Sequence, residues 1–136
     1  EVVRIPFFGW AYWLSGHLVI DRGNREKAVA SMNKLSKFVN DKKLSIWIWP
    51  EGTRSMDGKL IPFKKGFVHL ALATGLPIIP VVLHGAHKRW PAKTMQFYPG
   101  EVKVEVLDPI DTKDWNKDGI VEHVNQVKRV MSEALG

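Results

Sequence analysis

The chain has 136 residues, one domain's worth, and 45% of them are apolar, which excludes an intrinsically disordered segment. Its 20 basic and 14 acidic side chains leave a net charge of +6, which suits nucleic acid, an anionic membrane surface or a phosphorylated substrate equally well. Cysteine is absent, which excludes a disulfide framework and a thiolate zinc site, and no apolar run reaches the roughly 18–20 residues that span a bilayer.

The chain opens on Glu1 with no basic-then-apolar leader pattern, as a piece of a longer protein would. Residues 5–14 carry five aromatics, Phe7, Phe8, Trp10, Tyr12 and Trp13. Rings with an apolar body and a polar tip serve either as core or as a membrane-facing lip. His17-Leu18-Val19-Ile20 reads as a short strand ending at Asp21-Arg22. Asn24 suits an N-cap, and Ala28, Met32, Leu35 and Val39 recur at helical spacing, so residues 24–40 are expected to form an amphipathic helix.

Leu44-Ser45-Ile46-Trp47-Ile48-Trp49 reads as a strand buried on both faces. Behind it the composition switches abruptly to Pro50-Glu51-Gly52-Thr53-Arg54-Ser55. Glycine lets backbone approach a ligand, the hydroxyls offer donors, and arginine offers a planar fork that grips phosphate bidentately. This loop is a candidate phosphate site.

Phe67, Leu70, Ala71 and Thr74 mark a short helix stopped by Gly75 and Pro77. Ile78–Leu83 reads as a strand whose ladder Pro80 interrupts, as at an edge or a bulge. Residues 94–98 and 101–107 flank Pro99-Gly100 as a hairpin would, and the second arm alternates valine with charge, predicting one wet face. Ile120, Val124, Val127, Met131 and Leu135 predict a final amphipathic helix. The elements add up to one α/β unit, a mixed sheet flanked by helices.

Two patterns suggest metal and fail on inspection. His84 and His87 have no evident third ligand. Asp114-x-Asn116-x-Asp118-Gly119 begins like a calcium loop, but its twelfth position is Asn125 rather than a bidentate glutamate, so it reads as a turn capping the last helix. No metal is expected. Nucleic acid is not expected either, because the basic residues are scattered and the aromatics sit inside apolar runs.

Four blocks stand in order: Ile5-Pro6-Phe7-Phe8-Gly9; Gly16-His17-Leu18-Val19-Ile20-Asp21-Arg22; Trp49-Pro50-Glu51-Gly52-Thr53-Arg54-Ser55 with Pro62-Phe63-Lys64-Lys65-Gly66; and Leu76-Pro77-Ile78-Ile79-Pro80-Val81-Val82. Together they resemble the 1-acyl-sn-glycerol-3-phosphate acyltransferases, most of all the bacterial ones, over essentially the whole chain. The resemblance implies a glycerolipid-acyltransferase-like α/β fold, with residues 1–136 forming the C-terminal part of a single acyltransferase domain. It implies transfer of an acyl group from acyl-CoA or acyl carrier protein to the sn-2 hydroxyl of lysophosphatidate, giving phosphatidic acid, without a cofactor. It implies a membrane-associated enzyme on the cytoplasmic face of the bacterial inner membrane. Arg22, Glu51, Gly52, Thr53, Arg54 and Ser55 match the blocks that hold the acceptor's phosphate, with Lys64 and Lys65 as charge support, and Phe7, Phe8, Trp10 and Trp13 would face the membrane or the acyl chain. A sister acyltransferase with another acceptor, or a non-catalytic module that binds anionic lipid, would share these features.

The family's base is a histidine followed five positions later by an aspartate, which fixes its tautomer and steadies the imidazolium. None of the five histidines here has an aspartate at that offset. Asp21 lies four positions after His17, and on a strand that separation is roughly 13 Å, too far for a hydrogen bond. The resemblance therefore implies that the catalytic block lies upstream of Glu1 and that this chain alone does not turn over.

Overall fold

The computed structural model describes the backbone of residues 25–136 and the side chains of residues 33–136. Arg22, the aromatic residues Phe7, Phe8, Trp10 and Trp13, and the expected strand at 17–20 lie outside the described residues. Two compact units divide the chain, residues 1–44 and residues 45–136.

The first unit carries helix α1, Arg25–Lys42. The helical spacing read from the sequence places Leu35 and Val39 on the inner face, and both are buried. Backbone bonds close its end: the N–H of Leu44 donates to the carbonyl of Val39 at 3.0 Å and that of Lys43 to the carbonyl of Asn40 at 3.3 Å. That closure needs a left-handed residue, and Lys43 takes the conformation with φ of 51° where glycine is more usual.

The second unit orders helix α2 (Gly66–Thr74), strand β1 (Val81–His84), the single-turn helix α3 (Ala86–Arg89), strand β2 (Lys103–Val106) and helix α4 (Ile120–Leu135). β1 and β2 pair antiparallel, Val81 opposite Val106 and His84 opposite Lys103. α4 packs on β1 and on α2. The core is Phe63, Phe67, Val68, Val124 and Val127, with Leu60, Leu72, Ile78, Ile110, Ile120 and Met131 around it. Phe63 and Phe67 meet edge to face, ring centres 6.2 Å apart, and burial of each stabilises the unit by about 2–3 kcal/mol. Gly75, at φ of 68°, ends α2 by donating to Ala71, so the expected stop is met.

Pro80 splits its strand as the sequence predicts. Ile78 and Ile110 exchange both backbone hydrogen bonds as an isolated bridge, and the regular ladder resumes only at Val81. Pro80 has no N–H to give, but its carbonyl accepts the N–H of Leu107 at 2.9 Å.

Two expected elements are absent among the described residues. Residues 44–49 form no regular strand, and Trp47 and Trp49 are 63% and 61% exposed rather than buried. An apolar strand needs a ladder partner, and β1 and β2 pair only with each other here. The hairpin at 94–107 also does not form: residues 94–98 are irregular, and β2 pairs with β1 instead. The Arg89 side chain claims the turn. Its Nη1 donates to the carbonyl of Pro99 at 2.7 Å and its Nε to that of Glu101 at 3.4 Å, and the N–H of Tyr98 returns to the carbonyl of Arg89. In β2 the valine face is open at Val104 and Val106, and on the other face Lys103 is exposed while Glu105 is half-buried.

Candidate functional site

The loop from Pro50 to Lys65 is built by backbone and carboxylate bonds rather than by a ladder. The N–H of Gly52 donates to the carbonyl of Trp49 at 3.1 Å, and the N–H of Lys64 donates to the carbonyl of Pro50 at 2.7 Å. These bonds bring the two sequence blocks together. Gly52 turns the chain at φ of 70°, and the stem of Lys64 runs beside it, 3.7 Å from where a Cβ would sit. Glu51 closes the loop from inside: its Oε2 accepts the N–H of Ile61 at 2.9 Å. Ser55 donates its hydroxyl to Oδ1 of Asp57, which also accepts the N–H of Lys59. These bonds, that from Lys59 first, hold the Asp57 carboxyl below the usual carboxylate range.

Arg54 leaves the loop toward a second one. Its guanidinium lies over the indole of Trp90, with Cζ 4.2 Å from the ring centre, and Nη1 donates to the carbonyl of Pro91 at 3.4 Å. Its remaining N–H donors meet no acceptor among the described residues, and the side chain is exposed. Thr53, exposed beside it, has no hydrogen-bond partner among the described residues. Lys65 caps α2 by backbone, its carbonyl accepting from Val68 and His69, and leaves its ammonium exposed. The loop and the start of α2 thus carry an exposed guanidinium, an exposed hydroxyl and two exposed ammonium groups, residue types suited to an anionic oxygen cluster.

The sequence reading missed Trp90, Pro91 and Asp57, which hold Arg54 and Ser55 in place. Asp57 was within reach as an aspartate two residues past a serine, the spacing of a side-chain turn. Nothing in the local sequence ties Trp90 to Arg54. His84 is engaged away from this loop: its Nε2 lies 2.9 Å from Oε2 of Glu105, which also takes the Lys103 ammonium at 3.2 Å. Lys103 first, then His84, holds the Glu105 carboxyl low. Asn116 caps its own turn, its Oδ1 accepting from Asp118 and Gly119, and the Trp115 ring stacks on His123 at 4.4 Å.

A family model described as Acyltransferase matches residues 1–84. A 1-acyl-sn-glycerol-3-phosphate acyltransferase of Limnanthes douglasii is 45% identical over 130 residues, covering 96% of this chain and 46% of the relative. The protein of the same description from Escherichia coli strain K12 is 40% identical over 135 residues, 99% of this chain and 54% of its own length. The crystal structure of the 1-acyl-sn-glycerophosphate (LPA) acyltransferase PlsC from Thermotoga maritima superposes with a TM-score of 0.76 at 27% identity, covering 99% of this chain and 52% of that one. The chain thus spans about half the length of the curated relatives it matches. The α/β fold expected from the sequence is the fold of that structure, and the chain belongs to the acyltransferase family.

Proposed function

We propose that the protein transfers an acyl group from a thioester, acyl-CoA or acyl carrier protein, to the sn-2 hydroxyl of lysophosphatidate, and that this chain supplies the site for the acceptor's phosphate. The observation that carries the reading is the Arg54 guanidinium, braced on Trp90 with donors still open, on the loop that also holds Gly52 and Lys64. Arg54, Thr53, Lys64 and Lys65 would meet the phosphate oxygens. Glu51, Gly52 and Ser55 would shape the loop, since their own polar groups are committed within it. Arg22 would add a second guanidinium.

In the reaction a base takes the acceptor hydroxyl proton, the oxygen bonds to the thioester carbon, the C–S bond breaks, and the proton returns to the leaving thiolate. We assign that base to a histidine–aspartate block outside these 136 residues, because no histidine here has the aspartate offset that the chemistry uses. No cofactor beyond the thioester is assigned. The acceptor's tail lies in a bilayer, so we place the protein at a membrane surface, on its cytoplasmic face, with Phe7, Phe8, Trp10 and Trp13 toward the lipid. No helix among the described residues is long and apolar enough to cross a membrane.

The test compares acyl transfer to lysophosphatidate by this chain and by one extended upstream of Glu1. Turnover only in the extended form supports the division of labour. Turnover in the short chain would place the base on one of its own histidines.

A further inference from the structure

We propose that Trp90 is a positioning residue for the acceptor's phosphate, acting through Arg54; the inference rests on the phosphate reading of that arginine. A guanidinium on an exposed loop samples many rotamers, and holding it in one orientation before the ligand arrives reduces the ordering that binding requires. The geometry supplies such a hold from the opposite loop. The indole face lies under the guanidinium at 4.2 Å, and the Pro91 carbonyl fixes one of its nitrogens.

Trp90 is itself fixed. Its Nε1 donates to the carbonyl of Thr94 at 3.0 Å, and its ring packs on Phe97 with centres 4.8 Å apart. The Thr94 hydroxyl returns to the same Pro91 carbonyl at 3.1 Å, so that oxygen accepts from both Thr94 and Arg54. This small framework sits on the surface rather than in the core; Trp90 is 42% exposed. A ring that only filled space would not need its face presented to a cation whose other donors are open. An indole face also spares those donors, since it holds the cation without consuming an N–H.

The test is steady-state acyl transfer by the full-length protein, varying lysophosphatidate and acyl donor separately. Trp90→Ala is expected to raise the acceptor KM about 2- to 5-fold, as for an exposed cation–π pair, and leave the donor KM unchanged. Trp90→Phe, which keeps an aromatic face, is expected to recover most of the loss. The double variant Arg54→Ala/Trp90→Ala is expected to be no worse than Arg54→Ala alone. Additive losses in the double variant, or equal changes in both KM values, would overturn the inference while leaving Arg54 as the phosphate ligand. If Arg54→Ala itself leaves the acceptor KM unchanged, the phosphate reading falls and the inference with it.

Discussion

The carboxylate of Glu51 accepts the backbone N–H of Ile61 at 2.9 Å, so an acidic side chain ties the two ends of a cationic loop together. A carboxylate facing a phosphate would repel it; one committed to a backbone N–H supports the loop instead. Glu51→Gln keeps a carbonyl oxygen at that position and is expected to retain most acceptor affinity. Glu51→Ala leaves the Ile61 N–H without its partner and is expected to raise the acceptor KM several-fold and destabilise the protein by about 1–3 kcal/mol. Acyl-transfer kinetics and denaturant unfolding of the two variants separate bracing from charge.

Gly58 and Gly52 both take positive φ, 81° and 70°, yet they predict different costs. A Cβ on Gly58 would fall 2.3 Å from Nδ1 of His87, whereas one on Gly52 meets Lys64 at an ordinary 3.7 Å. Gly52→Ala should cost only the backbone strain, about 1–2 kcal/mol. Gly58→Ala should cost more, and adding His87→Ala should recover the steric part but not the strain. Urea unfolding of the three variants reads both components.

Asp57 gives the loop a pH dependence. Its folded pKa lies below the ordinary carboxylate value near 4, so its contribution is fully present above that value and is lost as pH falls through the lower, folded pKa. Asp57→Asn should therefore be slightly less stable than the wild type at pH 6, and the gap should close as both are acidified through and below the ordinary carboxylate range. Unfolding midpoints across that range check the sign. A gap that widens on acidification would contradict it.

The helices were readable because a 3.6-residue period says which face is buried: Leu35, Val39, Val124 and Val127 are all inside. The sheet was less readable, because pairing depends on partners distant in sequence. The apolar run at 44–49 signals a strand but not its neighbour, and among the described residues it has none. Pro99-Gly100 carries a turn signal that the Arg89 side chain uses for a loop, which no local pattern reveals. That the loop carries an exposed cation at Arg54 was legible from residue types in one heptad. Its support by Trp90 was not, since it depends on two loops meeting in space.

The central claim is that Arg54 holds the acceptor's phosphate. The direct measurement is the ratio of kcat/KM for lysophosphatidate to kcat/KM for a monoacylglycerol of the same chain length, in the full-length protein and its Arg54→Ala variant. Loss of a charge-assisted contact to phosphate predicts that the variant's ratio falls by about 10- to 100-fold, with the phosphate-free acceptor little affected. A ratio unchanged by the substitution would contradict the account and move the phosphate elsewhere.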